Sequence, residues 1–387
     1  MKVILFANTD WYLFNFRLPL LRALREAGYE VVLISPPGGY GPRLEAEGFR
    51  WLPFPLERRG MNPWVELKTI FSLARVYRTE RPDVVHHFTI KCVLYGSLAA
   101  RLAGVKKIIN AITGLGYIFT SARRAQWLRL LLQPVYRLAL RNTAVIFQNP
   151  DDIALFRQQR LLGKAHVHLI RGSGVDTDVF VPSPEPAGDP VVMMVGRFLW
   201  DKGVGEFVEA ARSLKRSLSL SKGTAAQGTT ARFVLVGDTY PDNPRAVPPD
   251  QLQAWVGDGV VEWWGWHDDM RVMLPQAHIV CLPSYREGMP LSLAEAGACA
   301  RPVVTTDAPG CREIAQDGVN GFLVPVRDAD ALAKALLKFI RDPALRQEMG
   351  RRGRSLAEAE FSVRRIVAET LQVYNEMVPI SAGVDSV

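Results

Sequence analysis

The sequence has little cysteine, no long apolar run, and one long stretch without a single acidic residue. Its four cysteines in 387 residues, Cys92, Cys281, Cys299 and Cys311, lie far apart and in no C-x-x-C pattern. That spacing argues against a disulfide framework and against a zinc cluster. No segment reaches the roughly 18 unbroken apolar residues of a membrane-spanning helix. The opening MKVILFANTDWYLFNF turns polar after a few positions, so it reads as a first strand rather than a leader. These absences set the expectation of a cytoplasmic chain. The missing acids are the most informative. Between Asp83 and Asp151 there is no Asp or Glu, while Lys91, Arg101, Lys106, Lys107, Arg123, Arg124, Arg129, Arg137 and Arg141 lie there among Leu, Trp and Tyr. Residues 1 to 170 hold 24 Lys and Arg against 11 Asp and Glu, and the remainder holds 23 against 28. A basic, apolar-rich half points to an anionic partner, which a membrane surface, a lipid phosphate or nucleic acid would supply.

What is present alternates. Lys2 to Ala7, Glu30 to Ser35, Asp83 to His87, Lys107 to Ala111 and Ala144 to Gln148 are short and apolar enough for buried strands, and helical patterns separate them. Arg17 to Ala27 is one such helix, with Leu18, Leu21 and Leu24 on one face and Gly28 closing it. After the proline-rich Val181 to Pro190, a second series begins: Val191 to Val195, Arg232 to Val236, Val260 to Trp264, Ile279 to Leu282 and Pro302 to Thr305. Such alternation predicts an α/β chain of two doubly wound, Rossmann-like domains facing each other across a cleft, with ligands on loops at the carboxyl ends of parallel strands. The expected division is 1 to 181, a linker at 182 to 190, a second domain at 191 to 360, and a carboxyl-terminal helix and tail at 361 to 387 that returns to the first domain. Ser213 to Ala231, low in complexity, reads as a surface insertion.

Two loops of the second series carry chemistry. The strand Ala277 to Pro283 leads into Glu287, and Pro290 and Leu291 open a helix in which Glu295 lies about a turn along. Strand, glycine-containing loop and helix start form a place for an anion. Carboxylates there repel phosphate and suit hydroxyls, so a ligand with both, such as a nucleotide sugar, fits. In VGRFLWDKG, Arg197 and Lys202 follow a strand and precede a helix, a pattern for neutralising a diphosphate. No Asp-x-Asp pair follows any of the strands read above, and these cations take the place of a metal, so neither a metal nor another cofactor is expected.

The residues VGRFLWDKG, VLVGD, VEWWGW, LPSYREGMPLSLAEAGACARPVVTTDAPGCREI and DGVNGFLVP resemble the donor-binding half of the GT4 family of retaining glycosyltransferases, whose fold is GT-B. The resemblance implies that Glu287 holds the donor sugar, Glu295 the ribose, and Arg197 and Lys202 the diphosphate. It further implies that Gly288 and Met289 offer backbone groups and that the segment around Trp266 flanks the base. WYLFNFR, HHFTIKCVLYG and ITGLGYIF resemble a narrower set, enzymes that build bacterial polysaccharides on a polyprenyl diphosphate. They make Asn15, Arg17, Thr89, Lys91, Thr113, Gly114 and Gly116 the acceptor-side candidates. Many such enzymes carry a second histidine two positions after the one at the strand end. Here that place is Phe88, which leaves adjacent His87 as the histidine candidate for catalysis. The family's glycine-rich first loop is replaced by Asn8, Thr9, Asp10 and Trp11.

The implied function is transfer of a hexose or N-acetylhexosamine, from UDP by the same resemblance, to a lipid-linked saccharide by a peripheral protein on the inner face of the cell membrane. Two alternatives stand beside it: a sugar-nucleotide epimerase of similar fold, and a nucleic-acid binder. The binder has no recognition-helix or RNP-like pattern to support it. Arg123 to Arg141 mixes basic and apolar residues, as a helix packed on its own sheet or a membrane-surface helix would.

Overall fold

The computed structural model describes residues 1–57, 62–114, 133–220, 230–240 and 243–377. They form two compact units. One holds the chain through Ser173 together with the segment from Arg364 onward, and the other holds Gly174–Val363.

The amino-terminal unit is built on seven parallel strands: β1 Lys2–Phe6, β2 Glu30–Ser35, β3 Arg50–Pro53, β4 Val84–Phe88, β5 Lys107–Ile112, β6 Ala144–Phe147 and β7 His166–Leu169. Their order is β3-β2-β1-β4-β5-β6-β7, so the winding reverses between β1 and β4. Side chains alternate between the faces of the sheet. Val3 and Leu5 pack toward helix α1 (Asp10–Glu26) and the final helix, Val363–Met377, while Ile4 and Phe6 pack toward α3 (Pro63–Glu80) and α4 (Ile90–Ala103), the short α2 (Gly41–Ala46) joining β2 to β3. Both faces are covered, which is why the strands read as continuous apolar runs. The same alternation sends His86 and His87 to opposite faces, and neither choice is visible in composition.

The carboxyl-terminal unit has six parallel strands, β8 Val191–Val195, β9 Arg232–Val236, β10 Glu262–Gly265, β11 Ile279–Leu282, β12 Val303–Thr306 and β13 Gly321–Val324, in the order β10-β9-β8-β11-β12-β13. Here the winding reverses between β8 and β11. One core cluster runs through both faces.

Several expectations need correcting. The unit boundary lies at Ser173/Gly174, ahead of the proline-rich segment. That segment is strapped onto the carboxyl-terminal unit: buried Arg301 donates to Ser183 O at 2.9 Å and Pro184 O at 3.1 Å, and Arg346 pairs with Glu185 at 2.9 Å. One buried arginine thus takes the segment's carbonyls and the other its carboxylate. The segment 213–231 is not wholly an insertion, because a helix runs over Val204–Leu220 and buries Leu214 and Leu218; residues 221–229 lie outside the described residues. The basic stretch 123–141 falls largely outside them as well. Its described end is helical over 133–140 and buries Tyr136, Ala139 and Leu140. β3 and β13 were not anticipated; β3 is short, proline-ended and exposed at both ends.

Candidate active site

In the carboxyl-terminal unit the loops after β8 and β11 leave the sheet where the winding reverses, the place at which α/β sheets take ligands. After β8 the chain makes a single 3-10 turn, Trp200–Lys202, and enters Val204–Leu220 through Gly203, whose φ is 75°. A Cβ at Gly203 would fall 2.1 Å from Pro283 O. Glycine is therefore required both for the conformation and for the contact. The two loops are then laced together: Tyr285 N donates to Asp201 O at 2.9 Å and Ser284 Oγ to the same carbonyl at 3.2 Å. This lacing carries Lys202 to Glu287, and the side chains form an ion pair in which both are largely buried. Gly310, at φ 82°, repeats the device from the loop after β12, where a Cβ would meet Glu287 O at 2.4 Å. Glu287 N donates to Pro309 O at 2.9 Å, which fixes the backbone of the carboxylate-bearing loop.

Glu295 lies in the helix Leu291–Ala298, behind that loop. It is half-buried and has neither an ion pair nor a side-chain hydrogen bond among the described residues. Loss of water pushes its carboxyl up to about 8, since burial favours the neutral form. A carboxyl in this state is poised for hydroxyl groups. Pro290 is the N-cap of this helix and no side chain caps it; Leu293 N donates back to Pro290 O at 3.1 Å, so the N–H groups of Leu291 and Ser292 remain for a ligand or water. Gly288 and Pro290 are buried, and Met289 and Leu291 half-buried, beside the same helix start. Arg197 is exposed on the loop after β8, has no carboxylate partner among the described residues, and lies 5.9 Å from the centroid of Tyr240. Trp266 follows β10, is exposed, and donates from Nε1 to Asp268 at 3.1 Å.

The amino-terminal unit treats its candidates less evenly. Arg17 is buried in α1, whereas Asn15 on the opposite side of that helix is exposed and bonds Trp11 O at 3.0 Å, so the two do not act together. Lys91 is engaged: it pairs with Glu66 at 2.7 Å and also donates to Glu57 O. Thr89, at the end of β4, has φ 71° and ψ 152° and does not cap α4, a strained conformation for a β-branched residue. Thr113 and Gly114 follow β5 half-buried, and Gly116 lies outside the described residues.

The geometry does not favour His87 as a catalyst. It is fully buried on the α3 side, with Nδ1 against Asn110 Oδ1 at 2.9 Å and Nε2 against Tyr77 hydroxyl at 3.1 Å. Both nitrogens are occupied, and burial lowers its pKa to about 4.

Asp10 is a residue that motif reading missed. It is buried, its Oδ2 accepts from Gly39, Tyr40 and Gly41 N–H at 3.1, 2.8 and 3.0 Å, and its Oδ1 accepts from Trp11 N at 2.8 Å. One carboxylate thereby holds the loop after β2 against the start of α1. Its only signal in the sequence is an acid a few residues after a strand, at the start of a helical pattern.

Two family models match the chain: "Glycosyl transferase 4-like" over residues 2–149 and "Glycosyl transferases group 1" over residues 189–342. Among curated proteins, the chain is 26% identical to N,N'-diacetylbacillosaminyl-diphospho-undecaprenol alpha-1,3-N-acetylgalactosaminyltransferase of Campylobacter jejuni, covering 98% of this chain and 99% of that protein. It is 25% identical to UDP-Gal:alpha-D-GlcNAc-diphosphoundecaprenol alpha-1,3-galactosyltransferase of Escherichia coli, over 81% of this chain and 80% of that protein. Among solved structures, Anabaena HepE in complex with UDP and glucose superposes with a TM-score of 0.76 at 19% identity, covering 96% of this chain and 99% of that one. The architecture is that of GT-B glycosyltransferases. The epimerase alternative finds no support among these matches.

Proposed function

This chain belongs to the group 1 and 4-like glycosyltransferases, and on that premise we propose that it moves a sugar, with retention, from a nucleotide sugar to a saccharide carried on polyprenyl diphosphate. The observation that carries the donor half is the convergence, at the winding reversal of one sheet, of the Lys202–Glu287 pair, the unpartnered carboxyl of Glu295 and an uncapped helix start. Lys202, Arg197 and the first-turn N–H groups take the diphosphate. Glu287 takes sugar hydroxyls and Glu295 those of the ribose. Gly288, Met289, Pro290 and Leu291 line the turn between them, and Trp266 flanks the base. The relatives whose names specify a diphospho-undecaprenol acceptor support the acceptor half.

The reaction breaks the bond from the anomeric carbon to the β-phosphate oxygen and forms a bond to an acceptor hydroxyl on the same face. Negative charge builds on the departing phosphate, where preplaced cations and N–H groups act most strongly. The hydroxyl proton passes to that phosphate oxygen. Lys202 and Arg197 supply the charge, so the transfer is proposed to need no divalent cation. The test is to incubate the protein with a panel of nucleotide sugars, with and without a polyprenyl-diphosphate saccharide. Acceptor-dependent transfer is expected, and isomerised donor without transfer would overturn the proposal.

The acceptor is held at a membrane, and among the described residues no helix is long and apolar enough to cross one. The proposed contact is peripheral and uses α3. Trp64, Leu67 and Phe71 are 79%, 46% and 59% exposed and, three and four positions apart, form one stripe. Exposed Lys68, Arg75 and Arg78 flank it. The nearest acids on the helix, Glu66 and Glu80, are paired to Lys91 and Arg50. An aromatic stripe edged by cations matches an anionic lipid surface. Because the sheet is parallel, α3 starts at the edge where strands end, beside Thr89 and Lys91. Co-sedimentation with anionic vesicles is expected, and binding that ignores both lipid charge and a Trp64→Ser/Phe71→Ser double change would contradict it.

A further inference from the structure

A narrow cavity in the amino-terminal unit is lined by Arg17, His86, Phe88, Ala111, Gln148 and Thr370, among others. Three of the four polar side chains among these, Arg17, His86 and Gln148, come from three different elements (α1, β4 and the turn after β6) and are only 6%, 1% and 7% exposed, while the fourth, Thr370, donates to Ile366 O at 2.7 Å. None has an anionic partner among the described residues.

Arg17 is held firmly. Its Nε donates to Tyr12 hydroxyl at 3.0 Å and its Nη2 at 2.5 Å, and its guanidinium stands 5.2 Å from the Tyr12 ring centroid and 4.6 Å from that of Phe88. The aromatic faces orient the cation without neutralising it. A guanidinium does not give up its proton, so this charge is buried with no carboxylate to balance it, an arrangement that is normally unfavourable. His86 Nδ1 shares a hydrogen bond with Tyr374 hydroxyl at 2.9 Å, and its Nε2 is buried without a partner. Burial, with Arg17 nearby, holds the ring neutral. When Tyr374 donates to Nδ1, the ring proton is on Nε2. The Gln148 side-chain amide likewise has no hydrogen-bond partner among the described residues. Buried polar groups are ordinarily satisfied, and an orphaned ring nitrogen beside an unbalanced cation in one cavity needs an explanation. The rest of the lining includes Phe88, Ala111 and Ile146 and no acid.

We propose that this cavity is an anion subsite, in which Arg17, His86 and Gln148 together take one non-bridging phosphate oxygen of the diphosphate that ties the acceptor saccharide to its lipid. The cavity has room for about one oxygen-sized group, so a sugar ring does not enter it. Phe88 is part of the device: the position at which many similar enzymes carry a second histidine here supplies an aromatic face that carries a permanent cation. The assignment to the acceptor rests on the transferase reading above, whereas the anion chemistry does not.

The test separates the two. Protein saturated with a nucleoside diphosphate, so that the donor site is filled, is titrated with inorganic diphosphate, and Arg17→Lys, His86→Phe and Gln148→Ala are compared with the parent. The conservative set guards against loss of fold, which circular dichroism checks. Binding weakened about tenfold in each variant, together with an acceptor KM raised by a similar factor and unchanged nucleoside diphosphate affinity, is the expected result. No inorganic diphosphate binding by the parent, or equal binding by all variants, would overturn the subsite whether or not the protein is a transferase. Displacement by glucuronate but not by diphosphate would overturn the phosphate assignment in favour of a carboxylate. Weakened diphosphate binding with no lipid-linked acceptor accepted leaves the anion chemistry standing and overturns its assignment to the acceptor.

Discussion

The two units offer ligands the same place, the carboxyl ends of parallel strands, but build the surroundings differently. In the carboxyl-terminal unit, loops are brought together by backbone contacts that only glycine permits: Gly203 against Pro283 and Gly310 against Glu287, with Gly237 against Gly196 beside them. In the amino-terminal unit the loop after β1 has no glycine, and side chains do the joining: Asp10 gathers three N–H groups and Arg17 lies on aromatic rings. Backbone-built sites present N–H groups and dipoles, which suit a diphosphate shared by many donors. Side-chain-built sites can differ from one enzyme to the next, which suits acceptors that vary. This difference also governs stability, because a crossing glycine tolerates no substitution while a side-chain clasp can be weakened in steps.

The largest effect is expected at Lys202. Lys202→Ala should lower transfer about 10²- to 10³-fold through loss of charge on the leaving diphosphate, with far-ultraviolet circular dichroism unchanged. A loss below tenfold in kcat/KM would break the contrast between the units by taking the diphosphate away from this loop.

Next come the crossings. Gly203→Ala places a Cβ 2.1 Å from Pro283 O at a φ of 75° and should destabilise the protein by about 2–4 kcal/mol in urea unfolding. Asp10→Asn keeps the shape of the clasp but removes its charge, and should cost only about 1–2 kcal/mol. Equal costs would mean that the two construction modes are not different in kind.

A smaller effect follows pH. The Glu295 carboxyl sits at about 8 in the folded protein against an ordinary 4.5. Between these values the folded protein keeps a proton that the unfolded chain has released. Its contribution is therefore full below about pH 4.5 and lost as pH rises to about 8. Since the side chain keeps some contact with water, the change should be about 1–2 kcal/mol rather than the full linkage value. Urea unfolding of ligand-free protein at pH 5 and pH 8 measures it, and Glu295→Gln should flatten the difference. Hydroxyl groups donating to the carboxylate favour its charged form, so nucleotide binding at pH 7 should release up to about one proton. Calorimetry in buffers of different ionisation enthalpy detects that release. The smallest expected effect is that of a chelator: transfer in EDTA should stay within about twofold, because side-chain cations supply the charge, and an abrupt loss restored by Mg²⁺ would contradict this.

How much was legible follows from the same contrast. Strands buried on both faces, such as Val191–Val195 and Ile279–Leu282, have the apolar runs that the sequence shows. The Glu287 and Glu295 spacing was visible because strand, loop and helix are consecutive there. The meeting of Lys202 with Glu287 was not, since it depends on two loops 85 positions apart crossing at a glycine. Gln148 gave no signal at all, because its importance lies in lacking a partner. The domain boundary was misplaced because prolines usually mark linkers, and nothing local reveals that Arg301 and Arg346 hold this one in place. His86 and His87 read alike in sequence, and only the alternation of the strand gives one an orphan nitrogen and the other two partners.

The most direct measurement of the central claim, that the carboxyl-terminal unit reads the donor through Glu295 and its neighbouring cations, is calorimetric titration with nucleoside diphosphates. With the best-bound base, Glu295→Ala is predicted to weaken binding by about tenfold or more, near 1.4 kcal/mol, while Arg17→Lys leaves it within about twofold. Unchanged affinity in Glu295→Ala, or affinity lost in Arg17→Lys, would contradict the account.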